Sequence, residues 1–293
     1  MKTRIMMLST YRNYLFFKPI TMFLFNEIKS YDGIESQLKF IYDKKWDIMV
    51  ILDACRYDVF REIITDFMDG YLTPVYSPGS YTLEWLRAVW EGKSWRDTIY
   101  FSATPKIWGN KLYNIKFNPE EIFLKVIDIW KDGWDDSIGT VPPHKVSMSV
   151  LALNSRLKIR GKQIGKDYKA IIHYMQPHFP YKPIIKTIRK IADIYNIAYR
   201  DLSVRKLVGF NDFLLMFLYE CLENDHELRR NLQNLYIENL RWVLRSVSNL
   251  VNKLDGEIII TSDHGELLGE YGLYYHPVIH LPHLRIVPWF RVR

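Results

Sequence analysis

The run Asp47-Ile48-Met49-Val50-Ile51-Leu52-Asp53 decides the class of this protein. It is a continuous apolar stretch, entered from charge and closed by a carboxylate. Such a run is the mark of a strand covered on both faces, as the central strands of parallel sheets are. A second run of the same kind, Glu257-Ile258-Ile259-Ile260-Thr261, leads into Ser262-Asp263-His264. Both strands thus end in groups that can bind a proton, a metal or a substrate. In open α/β sheets that is the end at which ligands bind.

Working outward, residues 72–76, 98–102 and 170–174 read as further strands, the first stopped by Pro78-Gly79. Residues 56–68, 81–90, 122–130 and 146–157 read as helices. Leu235, Leu240, Leu244, Val247, Val251 and Leu254 follow helical spacing and predict a long amphipathic helix, broken by Asp255-Gly256. Strands alternating with helices predict an α/β fold with a mostly parallel central sheet sandwiched by helices. No repeat and no low-complexity run interrupts it.

At 293 residues, 48% apolar and 25% charged, the chain has an ordinary globular balance, which excludes disorder as a general description. Its 20 tyrosines, 15 phenylalanines and 9 tryptophans suit a bulky core, or equally a surface for carbohydrate or lipid headgroups. The formal net charge of +7 favours an anionic partner. The basic residues are scattered and no nucleic-acid motif is present, so no nucleic-acid partner is expected. Cys55 and Cys221, the two cysteines, belong to no Cys-x-x-Cys pair, which excludes a zinc ribbon or a disulfide scaffold.

Residues 14–25 are strongly apolar but carry Lys18 and Pro19, and fall short of the ~20 residues of a spanning helix. No small-residue cleavage site follows. Residues 1–30 are therefore expected to form an amphipathic segment, packed on the domain or lying at a membrane interface. Residues 31–293 are expected to form the α/β domain. The protein is expected to be cytoplasmic, with peripheral membrane contact through that segment.

Asp53 at a strand end can ligate a metal or simply cap a turn. Asp263-His264 offers oxygen and nitrogen ligands side by side, suited to zinc or manganese, or to calcium or magnesium if oxygen ligands prevail. Between the two strands, Ser77-Pro78-Gly79-Ser80-Tyr81-Thr82 sets hydroxyls just before a helix. A hydroxyl beside a metal loses its proton more easily, and a helix N-terminus supplies donors to an anionic ester. The alternative is that Ser80 or Thr82 caps the helix.

Four segments carry a family resemblance. Leu52-Asp53-Ala54-Cys55-Arg56-Tyr57-Asp58 and Thr261-Ser262-Asp263-His264-Gly265-Glu266-Leu267-Leu268-Gly269-Glu270 resemble the two diagnostic segments of the alkaline phosphatase/sulfatase superfamily. His173-Tyr174-Met175-Gln176-Pro177-His178-Phe179-Pro180-Tyr181 resembles the substrate-side histidine segment of sulfatases. His276-Pro277, with 284–289 after it, resembles sulfatase-like proteins common in archaea. The resemblance implies an alkaline phosphatase-like fold and one or two divalent metal ions (zinc, manganese, calcium or magnesium). It implies that Asp53, Asp263 and His264 ligate one ion and that His276 binds a second ion or the substrate. Thr82 is implied as the nucleophile, with Ser80 as its substitute. His178 and His173 are implied on the substrate side, or as stand-ins for the second ion's ligands, since no Asp-x-x-x-His occurs in the 170–200 region. Arg56, read from the residue alone, can hold an anionic group or pair with Asp58.

Two departures narrow the reading. Ala54 stands where arylsulfatases carry a second aspartate, and no Cys-x-Pro-x-Arg setting for formylglycine exists near residues 73–90. The expected activity is a metal-dependent hydrolase or transferase acting on phosphate or sulfate esters, with phosphoryl chemistry favoured. The expected substrate is an anionic ester, glycan- or lipid-linked among the options. The alternative is an inactive sulfatase-like protein that binds an anionic glycan or lipid headgroup. Trp134 in Gly133-Trp134-Asp135-Asp136 can stack on sugar or pack in the core, and the basic 182–206 stretch can be a solvated face or an anion-binding patch.

Overall fold

The computed structural model describes residues 33–107, 118–182 and 226–293. The 1–30 segment, and the basic 182–206 stretch beyond Lys182, lie outside the described residues. The main sheet is built from β1 (Glu35–Ser36), β2 (Ile48–Leu52), β3 (Gly70–Tyr76), β4 (Trp95–Ser102), β5 (Phe123–Asp128), β6 (Lys169–Tyr174), β7 (Ile258–Thr261) and β10 (Ile286–Val292). Their order is β1-β3-β10-β7-β2-β6-β4-β5. All neighbours run parallel except β10, which is antiparallel to β3 and β7. A separate hairpin is formed by β8 (Leu267–Leu268) and β9 (Tyr274–Tyr275). The expected α/β class with a mostly parallel sheet is present.

The helices are α1 (Gln37–Asp43), α2 (Tyr57–Ile63), α3 (Thr82–Trp90), α4 (Pro119–Ile122), α5 (Ile129–Gly133), α6 (Pro143–Lys158), α7 (His226–Val251) and α8 (Pro282–Arg285). The strand period of two distributes β2 between two cores. Ile48, Val50 and Leu52 pack with residues of α2, α6 and α7, while Met49 and Ile51 pack with residues of α1 and α3. Every residue of β2 is buried. At about 1.5–3 kcal/mol for each buried large apolar side chain, this double burial explains the unbroken apolar run. It also pins the register, because a one-residue slip would exchange the two faces.

Two elements depart from the sequence reading. Residues 122–130, expected to be helical, instead form edge strand β5 followed by the short α5. A short apolar run carries no period of its own, and pairing with β4 decides it. β10 was not anticipated, because Pro288 argues against an inner strand. Pro288 lies opposite Pro74, and the ladder to β7 begins only at Trp289. Trp134 is partly buried against the larger core.

Candidate metal centre and active site

β2 and β7 are adjacent and parallel, with Ile51 beside Thr261, so the turns after them emerge side by side. Ser262 joins those turns. Its hydroxyl accepts the Cys55 N–H at 2.8 Å and lies 2.6 Å from the carbonyls of both Leu52 and His264. Asp263 is braced as well: Oδ1 accepts the N–H groups of Ala54 at 3.1 Å and His264 at 2.9 Å. Ala54 takes a left-handed conformation at φ 62°, held by the Tyr236 hydroxyl of α7, which donates to its carbonyl at 2.6 Å.

These two turns and the neighbouring strand β6 bring three atoms to one buried spot. Asp53 Oδ1, Asp263 Oδ2 and His173 Nε2 are each buried without a hydrogen-bond partner. Ligand atoms of Asp53, His173 and Asp263 lie within 4.8 Å of one another, the one such group among the described residues. His264 Nε2 stands 3.5 Å from Asp53 Oδ1 and 3.4 Å from Asp263 Oδ2. The other ring nitrogen of His264 donates to the Gly265 carbonyl at 2.8 Å, which turns Nε2 toward the two carboxylates. Two carboxyl groups brought together in a buried site repel, and orphaned buried polar atoms are costly.

A cation resolves both problems. A tetrahedral ion with bonds of about 2.0–2.1 Å sets its ligand atoms roughly 3.3 Å apart. The separations of 3.4 and 3.5 Å match that spacing, as does the 3.2 Å from His264 Nε2 to Thr82 Oγ1. The residues therefore fit a metal ion.

Burial, followed by the carboxylates of Asp263 and Glu266, pushes the Asp53 carboxyl well above its ordinary range, while Lys106 pulls it down. Burial lowers His173 to about 4, keeping it neutral. Its Nδ1 lies 2.8 Å from the Tyr100 hydroxyl, the kind of outer contact that orients ligating histidines.

Thr82 is the first residue of α3, 5% exposed. The turn before it is forced close to the helix: a Cβ at Gly79 would meet the Trp85 backbone nitrogen at 2.5 Å. Ser80 faces elsewhere, with its N–H and hydroxyl donating to Glu84 Oε2 at 2.7 and 2.9 Å. Of the two hydroxyls singled out in the sequence, Thr82 is the one in contact with His264.

His276 and His178 form the wall beyond His264. The His276 ring lies 4.5 Å from that of His264 and 4.9 Å from that of His178. Burial and then the neighbouring His264 hold both histidines down, His178 to about 3 and His276 well below its usual value. His178 is committed at both nitrogens, to the Phe179 carbonyl and to the Tyr275 hydroxyl. His276 Nδ1 is shielded and without a hydrogen-bond partner.

Arg56 holds Asp58 through two bonds of 2.9 and 2.6 Å, Glu270 at 2.5 Å and the Glu266 carbonyl at 3.2 Å. The pairing with Asp58, weighed from the sequence, is present.

Two residues escaped the sequence reading. Glu266 is fully buried and pushed up to about 8 by burial, with Oε1 accepting from the Tyr181 hydroxyl at 2.7 Å. Lys106 acts electrostatically on Asp53, His178 and His276. Its position shortly beyond a strand's carboxyl end was the signal that could have flagged it.

No family model matches the chain, and no curated protein matches it. Among solved structures, it is similar to the soluble domain of lipooligosaccharide phosphoethanolamine transferase A from Neisseria meningitidis. That match has 15% identity and a TM-score of 0.46, and covers 83% of this chain and 75% of that one. It is similar to the lipoteichoic acid synthase LtaP from Listeria monocytogenes, at 14% identity and a TM-score of 0.48, covering 85% and 65%. It is also similar to a protein in the alkaline phosphatase superfamily from Vibrio parahaemolyticus, at 10% identity and a TM-score of 0.45, covering 85% and 60%. None of these supports the archaeal leaning or the cytoplasmic expectation. No described helix is long and apolar enough to cross a membrane.

Proposed function

We propose that this chain is a metal-dependent enzyme that cleaves or transfers phosphate esters through Thr82. The observation that carries the reading is that His264 Nε2 lies 3.5 Å from Asp53 Oδ1 and 3.4 Å from Asp263 Oδ2, with the Thr82 hydroxyl 3.2 Å from that imidazole. Asp53, Asp263 and His264 would hold the ion, with His173 as a further donor. The ion would lower the proton affinity of a neighbouring hydroxyl and offset charge on the non-bridging oxygens of the ester.

The remaining roles belong to the chain. Thr82 supplies the attacking oxygen; its bond to phosphorus forms as the bond to the leaving oxygen breaks, giving a threonyl ester that water or an acceptor hydroxyl resolves. The first turn of α3 presents backbone N–H groups on the side of Thr82, where an anionic group gains from them. His276, with an unengaged Nδ1, is the nearer candidate to touch substrate. His178, tied at both nitrogens, holds Tyr275 and the wall in place. Phosphoryl chemistry is preferred over sulfuryl because the formylglycine setting is absent from residues 73–90.

The test uses the full chain. Metal content is measured, then turnover of p-nitrophenyl phosphate, bis(p-nitrophenyl) phosphate and p-nitrophenyl sulfate, before and after chelation. Metal-dependent turnover that Thr82→Ala abolishes is expected. A chain that binds anionic glycan or lipid headgroup and turns over none of these esters overturns the enzymatic reading in favour of a binding protein.

A further inference from the structure

We infer that Gln37, at the first turn of α1, is the positioning residue that fixes the Thr82 hydroxyl relative to the cation site. This rests on the proposed role of Thr82. Gln37 is fully buried, and its amide bonds both the helix that carries Thr82 and the end of β7. Nε2 donates to Thr261 Oγ1 at 2.8 Å and to the Ser262 carbonyl at 2.7 Å. Oε1 accepts the indole N–H of Trp85 at 2.7 Å. Trp85 lies one turn after Thr82 on α3, and Ser262 immediately precedes Asp263. The amide therefore spans the gap between the nucleophile's helix and the metal-binding turn.

Its orientation is dictated by its partners. An indole nitrogen only donates and a carbonyl only accepts. The Thr261 hydroxyl gives its proton to the Pro288 carbonyl at 2.6 Å, so it must accept from Gln37. Turning the amide over would set donor against donor at Trp85 and acceptor against acceptor at Ser262. An apolar side chain of the same length would fill the same space, so packing alone does not call for an amide here. What the amide adds is direction: three bonds, each at full strength only at one spacing of α3 and β7.

The test is Gln37→Met, which keeps length and removes the bonds, with Gln37→Glu, which sets a carboxylate oxygen against the Ser262 carbonyl. Displacement of a reacting group by about 1 Å costs up to roughly 100-fold in rate. A tenfold or greater fall in kcat is expected with bis(p-nitrophenyl) phosphate, with KM and bound metal within twofold of wild type. A folded Gln37→Met chain that keeps kcat within twofold, or loses metal in step with activity, overturns the assignment. If the wild-type chain turns over no ester, the functional reading fails by itself. The crystal structure of Gln37→Met then decides: loss of the 3.2 Å Thr82–His264 contact supports the positioning role, and its retention overturns it.

Discussion

Thr82 Oγ1 stands 3.2 Å from His264 Nε2, across 182 residues of chain. The hydroxyl comes from the first turn of α3, and the imidazole from the turn after β7. A contact this short between two separate elements reports the placement of a whole helix against a strand end. That placement gives the site its chemistry and makes it open to test.

Replacing Thr82 by Ala should lower turnover by more than about 1,000-fold, since loss of a nucleophile removes the chemical step. Thr82→Ser should retain activity and form a covalent phosphoserine on brief exposure to substrate. Mass spectrometry of quenched reactions checks both; equal turnover in Thr82→Ala would remove the residue from the mechanism.

Asp263→Asn keeps the shape of the turn and removes one negative oxygen from the proposed ion site. Changes in groups outside the ligand set already cost 10–100-fold in metal affinity. A loss of at least about tenfold is expected, read by competitive chelator titration. Without metal, the same variant should be no less stable than wild type, because a buried carboxylate without a hydrogen-bond partner at Oδ2 has been neutralised.

Glu266 gives the metal-free protein a pH dependence with a definite sign. Its carboxyl is pushed from 4.5 up to about 8 in the folded chain, burial being the largest cause. Between those values the folded state keeps a proton that the unfolded state has released. Stability is fully present below the unfolded value and falls as pH rises toward about 8. Asp53, also raised by burial, acts in the same direction. Below about pH 6.5 the depressed His173, His178 and His276 act in the opposite direction, so the window that isolates the carboxyls lies above it. Urea midpoints in chelator should fall from about pH 7 to about pH 8.5, and Glu266→Gln should flatten the decline. A midpoint that climbs over this range contradicts the assignment.

Gly265→Ala should be among the most damaging single methyl additions in the chain. A Cβ at Gly265 would meet the His283 carbonyl oxygen at 2.0 Å, and the Gly265 N–H bonds the Leu284 carbonyl at 2.8 Å. Two backbones meet there, so neither can yield cheaply. A loss of about 3 kcal/mol or more is expected from thermal or denaturant unfolding, with metal binding weakened because the turn carrying His264 shifts.

The legible parts of the sequence were those in which local pattern and tertiary environment agree. The run at 47–53 is apolar throughout because both its faces are covered, and it became β2. The run at 257–261 became β7 for the same reason. Residues 122–130 were misread because a six-residue apolar stretch fits helix or edge strand equally until a neighbour pairs with it. β10 went unread because Pro288 is tolerated in its setting opposite Pro74.

Within the site, Asp53, Asp263, His264 and Thr82 could be singled out as residue types at strand ends and at a helix start. No spacing hinted at Gln37, which is one polar residue at the start of a short helix until three bonds define it. His173 was read as a substrate-side residue or a stand-in ligand for a second ion; its place beside both Asp53 and Asp263 appears only in three dimensions. Arg56 and Asp58 are two residues apart, so their pairing could be weighed locally; the tie to Glu270, 214 residues away, could not.

The chain alone determined the layered α/β architecture, because hydrophobic period and run length are properties of consecutive residues. It also determined which side chains carry ligating or nucleophilic atoms. Only the tertiary structure decided which of those atoms meet: that Asp53 and His264 approach to 3.5 Å, that Ser80 turns to Glu84 while Thr82 turns to the imidazole, and that Arg56 is already engaged. The physical reason is that parallel pairing of β2 and β7 brings together turns some 210 positions apart. Their spacing is set by buried hydrogen bonds whose partners have no relation in sequence.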